Sequence, residues 1–327
     1  MQQRKLGQNG PEVGAIGLGC MSFAGPYGKI DEAHAHRILA ASLDLGITHL
    51  DTAVLYGGGI SESYIGSFIK DYPNRFTIAT KAGIITKPER RFDNTPTYLR
   101  ESLEASLKRL RVDYVEVFYL HRRQQDIPIE DAMGTLVKMK EEGKIGGIGL
   151  SEVAPYTLRR ATAVHPVAAV QNEYSLWTRL PELGLLQACE ELDTTFVAFS
   201  PVGRGIFSAK PPVIEDLPEG DFRRSTPRFA EPNYSLNKAM VSRFADYAAS
   251  QGMTPGTMAN AWVLSRGKNI ISIPGTKSPE HLAENARAGD IVLTEAQLAE
   301  IDRLLPVGFA YGDRYSDGQA VGPERYC

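Results

Sequence analysis

Cysteine is scarce in this chain. Its 327 residues hold three, Cys20, Cys189 and Cys327, far apart and without metal-ligand spacing. That removes a cysteine-built metal centre, and the odd, sparse count fits a reducing cytoplasm. An excess of one charge is lacking too: 36 Lys and Arg stand against 39 Asp and Glu, for a net −3. Nothing in that balance points to nucleic acid or an anionic membrane surface as a partner. No uninterrupted apolar run approaches membrane-spanning length. The opening Met1-Gln2-Gln3-Arg4-Lys5 leads into no long apolar stretch, so no signal peptide is expected. The rest is ordinary for a soluble globular protein, 43% hydrophobic and 23% charged. The length suits one large α/β domain or two smaller ones.

Short β-branched or apolar runs alternate with longer amphipathic segments. The pattern predicts strands at Ala15–Gly19, His49–Thr52, Phe76–Thr80, Tyr114–Leu120, Ile145–Leu150, Ala168–Gln171, Thr195–Ser200 and Ile270–Ile273. Between them it predicts helices over Asp31–Asp44, Ser61–Lys70, Thr97–Leu110, Ile129–Glu142, Pro155–Ala163, Pro181–Glu191, Leu236–Gln251 and Pro255–Arg266. Pro279–Ala288 and Glu295–Leu304 follow the last strand. Eight strands alternating with helices imply parallel strands and right-handed crossovers. The count matches a closed (β/α)8 TIM barrel, taken as one domain over residues 1–327. A doubly wound sheet would want a glycine-rich turn after the first strand. Gly17-Leu18-Gly19-Cys20-Met21-Ser22 lacks the third glycine and opens no helix.

Gln8-Asn9-Gly10 between short strand-like runs reads as an N-terminal β-hairpin plugging the barrel bottom. Two stretches break the alternation. Ser208 to Asn237, rich in proline and charge, leaves strand seven at the catalytic rim and reads as a lid or a disordered insertion. The tail Gly308–Cys327 carries Phe309, Tyr311, Tyr315 and Tyr326, which suggests packing over something, with fraying as the alternative.

Three strand ends carry chemistry. Gly46–Gly57 ends an apolar segment in Asp51 and places Tyr56 in a glycine-rich turn; Thr80 runs into Lys81, and Leu120 into His121. Alone, each residue has a bland explanation: a cap or turn former, a packed aromatic, a solvated lysine, a structural histidine. On one barrel rim they make one site. An ordinary phenol titrates near pH 10, and a neighbouring ammonium favours the phenolate. Lys81, held by Asp51, is therefore expected to tune Tyr56 down towards a working general acid. His121 would orient a substrate oxygen. None of the four is an obvious nucleophile. The set suits protonation of an oxyanion forming at a carbonyl, with a cofactor supplying hydride.

Later strand ends offer a cofactor site. Ser151 with Gln171-Asn172 would suit a carboxamide. Phe199 offers a ring for stacking, and Ser200–Gly205 a small-residue loop for phosphates. Gly275-Thr276-Lys277-Ser278 opens a helix beyond strand eight, the usual phosphate position in such barrels. The blander reading makes Phe199 core and the glycines turn formers.

These segments, with Ser61-Glu62, Tyr119–Arg122, Ile148–Ser151, Gln171–Ser175, Ile273–Lys277 and Glu284-Asn285, resemble the aldo-keto reductase superfamily over nearly the whole chain. Gly149–Glu152 and Phe222–Phe229 resemble its microbial and plant aldehyde-reducing branch. The resemblance implies a barrel binding NADP(H), with Asp51, Tyr56, Lys81 and His121 as tetrad and Tyr56 as proton donor. Ser151 and Gln171 would hold the nicotinamide carboxamide under Phe199. Ser200, Val202, Gly203 and Arg204 would line the pyrophosphate. Gly275, Thr276 and Lys277 would hold the 2′-phosphate side, and Glu284 and Asn285 would lie near the adenine. Three positions depart from the pattern: Glu152 stands where many members have Asn, Arg123-Gln124-Gln125 replace an apolar residue, Asp and Pro, and His281 stands for an Arg. The function implied is NADPH-dependent reduction of small-molecule aldehydes and ketones in the cytoplasm, by a monomer or homo-oligomer. Phe23, Tyr27, Trp177, Phe309 and Tyr311 are candidate pocket walls. A regulatory subunit resembling potassium-channel β-subunits is the alternative, and a Schiff-base role for Lys81 a third.

Overall fold

The computed structural model describes residues 1–326. A hairpin of β1 (Gln3–Lys5) and β2 (Glu12–Gly14) precedes the barrel. The barrel strands are β3 (Leu18–Gly19), β4 (His49–Asp51), β5 (Thr77–Ala82), β8 (Val115–Leu120), β9 (Ile145–Ser151), β10 (Ala169–Glu173), β11 (Thr195–Phe199) and β12 (Ile270–Ile273). They pair in parallel in that order. A parallel bridge between Ile16 and Ser272 closes the ring, with Gly17 N donating to Ser272 O at 2.8 Å and Ser272 N to Ala15 O at 2.9 Å. Between β5 and β8 lies a small hairpin of β6 (Ile84–Ile85) and β7 (Arg91–Phe92).

Eight helices wrap the strands: α1 (Glu32–Asp44), α2 (Ile60–Ile69), α3 (Pro96–Leu110), α4 (Ile129–Glu141), α5 (Pro155–Val164), α6 (Leu185–Glu191), α7 (Asn233–Ser250) and α8 (Pro255–Ser265). Then come α9 (Pro279–Arg287), α10 (Glu295–Leu304) and a short α11 (Asp317–Ala320). Their starts are written locally. Thr95, Thr254 and Ser278 each accept a backbone N–H of the first turn ahead of a proline, and Thr294 with Gln297 forms a capping box. Strands covered on both faces need apolar residues throughout, and most barrel positions are buried.

The core has two layers. One lies between strands and helices; the smaller fills the barrel with Val117, Tyr119, Ala169, Val197, Ile271 and Ile273. Gly149 makes room for the Tyr119 ring, because a Cβ there would sit 2.3 Å from it. Leu6 and Val13 of the hairpin join the inner layer, and Gly7 N donates to Thr195 Oγ1 at 2.6 Å. The hairpin does plug the N-terminal end.

Several boundaries differ from expectation. The first strand is regular only over Leu18–Gly19. β5 runs to Ala82 and β10 to Glu173, so Lys81 and Asn172 are strand residues rather than loop residues. The expected helix Pro181–Glu191 splits into a 3-10 turn, Leu180–Glu182, and α6, because Gly184 between them is left-handed at φ +99°. α7 starts at Asn233, which shortens the irregular stretch after β11, and that stretch holds 3-10 turns at Phe222–Ser225 and Pro227–Phe229.

Candidate active site

Parallel register brings the four strand-end residues together. Asp51 pairs with Ala79 and Lys81 with Tyr119, so successive strands present Asp51, Lys81 and His121 at one rim. Lys81 is fully buried and Asp51 is 1% exposed. Lys81 Nζ makes a short contact with Asp51 Oδ1, donates to Thr52 O at 2.8 Å and reaches the Tyr56 hydroxyl at 3.3 Å. The other Asp51 oxygen accepts from Gln171 Nε2 at 2.7 Å. The Tyr56 and His121 rings meet edge to face, centroids 5.9 Å apart. Behind them, Thr80 Oγ1 donates to the buried Glu62, which also accepts from Arg109 Nε at 2.7 Å; Thr52 and Ser61 are linked at 2.9 Å.

The electrostatics correct one expectation. Burial pushes the Tyr56 phenol up, and the Lys81 ammonium only partly offsets this, so its pKa lies above rather than below the ordinary value. Tyr56 is thus a fully protonated donor at neutral pH. Burial alone would lower Lys81, but Asp51 and then Tyr56 more than reverse it and hold Lys81 charged. A buried, paired ammonium is a poor Schiff-base nucleophile. Burial, then the charges of Arg122, Lys81 and Arg90, holds His121 well below the usual histidine range, hence neutral.

A cleft of about 760 Å³ starts at Asp51, Tyr56 and His121 and runs across the rim to α9. Ser151, Gln171, Phe199, Ser200, Val202, Arg204, Gly275, Thr276, Lys277, Glu284 and Asn285 line it. Lys81 sits behind Tyr56, and Gly203 does not line the cleft. Gly203 is left-handed at φ +57°, and a Cβ there would lie 2.8 Å from Ile206. It shapes the turn rather than the surface.

A model of the aldo/keto reductase family matches residues 15–306. The chain belongs to that family. A probable aldo-keto reductase 1 of Glycine max is 39% identical over 322 residues, covering 97% of this chain and 93% of the relative. The aldo-keto reductase yakc [NADP(+)] of Schizosaccharomyces pombe is 40% identical over 323 residues, covering 96% and 94%. Among solved structures, a glycerol dehydrogenase of Gluconobacter oxydans superposes with a TM-score of 0.85 at 27% identity over 93% of this chain and 94% of that one. An aldo/keto reductase of Klebsiella pneumoniae in complex with NADP and acetate gives 0.75 at 26%, over 97% and 99%. The protein is an oxidoreductase of this family.

This aldo/keto reductase arches its 208–232 stretch over the cleft. Phe222 N donates to Pro26 O at 3.0 Å, and the Arg223 guanidinium lies 5.2 Å from the Tyr27 ring. Lys277 Nζ reaches the Tyr27 carbonyl from the other bank. Arg204 turns its charge to Glu173 at 2.9 Å, between the rings of Phe222 and Tyr315, each 4.9 Å away. Its guanidinium is therefore already paired, while the residue still lines the cleft. Glu152, left-handed at φ +56°, is paired by Arg314 from the tail. Burial would raise its carboxyl, but Arg314 reverses this. Glu324 accepts from Arg123 at 2.8 Å and from Ala154 N at 2.8 Å, and the Tyr326 hydroxyl meets Asn172 Nδ2 at 2.7 Å. The tail up to Tyr326 is packed, and it takes Asn172 away from the cleft; Cys327 lies outside the described residues.

Of the candidate walls, only Tyr27 lines the cleft. Trp177 is buried against Phe207 and Phe229, Phe23 and Phe309 are core, and Tyr311 faces solvent. Sequence reasoning missed Arg90, Arg223 and Gln319 as lining residues. Arg223 lies in the Phe222–Phe229 stretch that carries a family resemblance, the one signal that could have found it; the segments around Arg90 and Gln319 show neither periodicity nor motif spacing.

Proposed function

We propose that the protein reduces aldehydes and ketones to alcohols with NADP(H) as cofactor and Tyr56 as general acid. The observation that carries this reading is the Tyr56 hydroxyl facing the cleft 3.3 Å from an ammonium that Asp51 keeps charged. The donor set fits the cofactor. Gln171 spends its amide N–H on Asp51, which leaves its oxygen as an acceptor; Ser151 Oγ accepts from Arg122 at 3.0 Å, which leaves its hydroxyl proton to donate. Together they match a carboxamide, with Phe199 beside it for stacking. Ser200 and Val202, in the turn that Gly203 shapes, would line the pyrophosphate. Gly275, Thr276 and Lys277 at the N-terminus of α9 would take the 2′-phosphate, and Glu284 and Asn285 the adenine side. When bound, NADPH supplies the hydride.

This chain's residues then supply the proton and the orientation. The neutral His121 imidazole donates to the carbonyl oxygen and fixes it against Tyr56. Tyr56 delivers its proton as negative charge develops on that oxygen. Lys81 stabilises the phenolate left behind, which would otherwise be costly in a buried site. Asp51 and Gln171 hold Lys81 in place.

The test is NADPH oxidation over a panel of aldehydes and ketones, by wild type and Tyr56→Phe. The variant should lose turnover while its NADPH affinity, read by fluorescence quenching, stays within about twofold, because one hydroxyl is removed and little surface. Near wild-type turnover in Tyr56→Phe would sink the assignment. Very slow turnover together with a co-purifying partner would favour the regulatory-subunit reading.

A further inference from the structure

Beside the tetrad, the cleft wall carries two guanidiniums that no acid answers. Arg122, 8% exposed, lines the cleft directly after His121. Its Nη1 donates to the His121 carbonyl at 2.6 Å and to Ser151 Oγ at 3.0 Å, and its buried Nε has no partner. Among the described residues no carboxylate lies within ion-pair distance of it. Glu152, the acid that feels its charge, is already held by Arg314. Arg90, in the turn between β6 and β7, lines the same mouth. Its guanidinium sits 5.8 Å from the Phe92 ring and, among the described residues, makes no ion pair. Partial desolvation and then the Arg122 charge lower its pKa, and both arginines bear on His121. A buried guanidinium without a counter-ion is costly. Here the missing negative charge has an open place to enter from, the same cleft that Tyr56 lines.

We propose that the substrate carries an anionic group, a carboxylate or phosphate, received by Arg122 and Arg90 while its carbonyl faces Tyr56 and His121. The proposal rests on the reductase reading above. The planar fork of arginine suits both oxyanions. Arg122 is the fixed element, tied to the ends of β8 and β9; Arg90 is the exposed one, free to close on the ligand.

The experiment compares matched substrates within one enzyme, so that a general loss of activity or of cofactor binding cancels. 4-Carboxybenzaldehyde is set against methyl 4-formylbenzoate, and glyceraldehyde 3-phosphate against glyceraldehyde, at saturating NADPH. The wild type should prefer at least one charged member by about tenfold to a hundredfold in kcat/KM, mainly through KM. That preference should shrink as salt is raised, since Arg90 is exposed. Arg90→Met should cut it severalfold, and Arg122→Met should nearly erase it. A preference in only one pair supports the proposal and identifies carboxylate or phosphate as the group. Equal kcat/KM within both pairs, or a preference that both variants keep in full, overturns the proposal and leaves the reductase reading standing. No NADPH oxidation with any carbonyl overturns both.

Discussion

Replacing Asp51 by Asn tests the physics of the site at its centre. The change keeps shape and one amide oxygen, yet removes the only charge that, among the described residues, pairs with a fully buried ammonium. Removing one partner of a buried ion pair costs about 3–5 kcal/mol, a large part of the roughly 5–15 kcal/mol that stabilises a typical protein. With a urea slope near 3 kcal/mol/M, the unfolding midpoint should fall by at least about 1 M. The pH dependence should change sign as well. In the wild type the folded pKa of Lys81 is raised, so its stabilising contribution is complete below the ordinary lysine value and is lost only as pH climbs through the folded one. Without Asp51, burial dominates and depresses that pKa. The unfolded chain then binds more protons, and the variant should gain stability as pH rises from about 7 towards about 10. Adding Lys81→Met to Asp51→Asn should recover most of the stability and none of the activity. Urea titrations followed by circular dichroism, at neutral and alkaline pH, measure all three. A single variant within about 0.5 kcal/mol of wild type, with an unchanged pH slope, would refute the picture of a desolvated pair.

Lys277→Ala should weaken NADPH about tenfold to a hundredfold and NADH little, because a charge-assisted phosphate contact is lost; equal losses in both dissociation constants would remove Lys277 from that role. We propose that the 208–232 stretch opens for cofactor exchange; its amides should then exchange hydrogen more slowly with NADP⁺ bound, and equal rates in both states would show a passive insertion. His49 is buried with its pKa pushed down to about 4. Its depressed value means stability is lost as pH falls from about 6.5 towards that point, by roughly 3 kcal/mol, so His49→Gln should flatten the acid side of a stability–pH curve; an unchanged curve would refute it.

Periodicity sufficed for the barrel because eight buried strands each carry their own apolar run and helix caps are local. The meeting of Asp51, Tyr56, Lys81 and His121 was legible for the same reason: strand ends in parallel register must share a rim. The sign of the Tyr56 shift was not, since desolvation depends on what packs around the ring. What surrounds the Arg204 guanidinium was not legible, because its partners, Glu173, Phe222 and Tyr315, come from three separate segments. Trp177 and Phe309 were read as walls because an aromatic in a loop looks the same whether it faces a cleft or a core.

The pairing of Glu152 with Arg314 has a consequence for how the protein is made. Glu152 is interior at the end of β9, yet its counter-ion arrives 162 residues later in translation. Until then that carboxylate has no full partner, and the rim stays under-determined while the rest of the barrel can form. The final segment therefore behaves as a late electrostatic keystone. A chain cut short before Arg314, or one whose end is tethered away from the rim, should keep its barrel and lose the definition of its mouth.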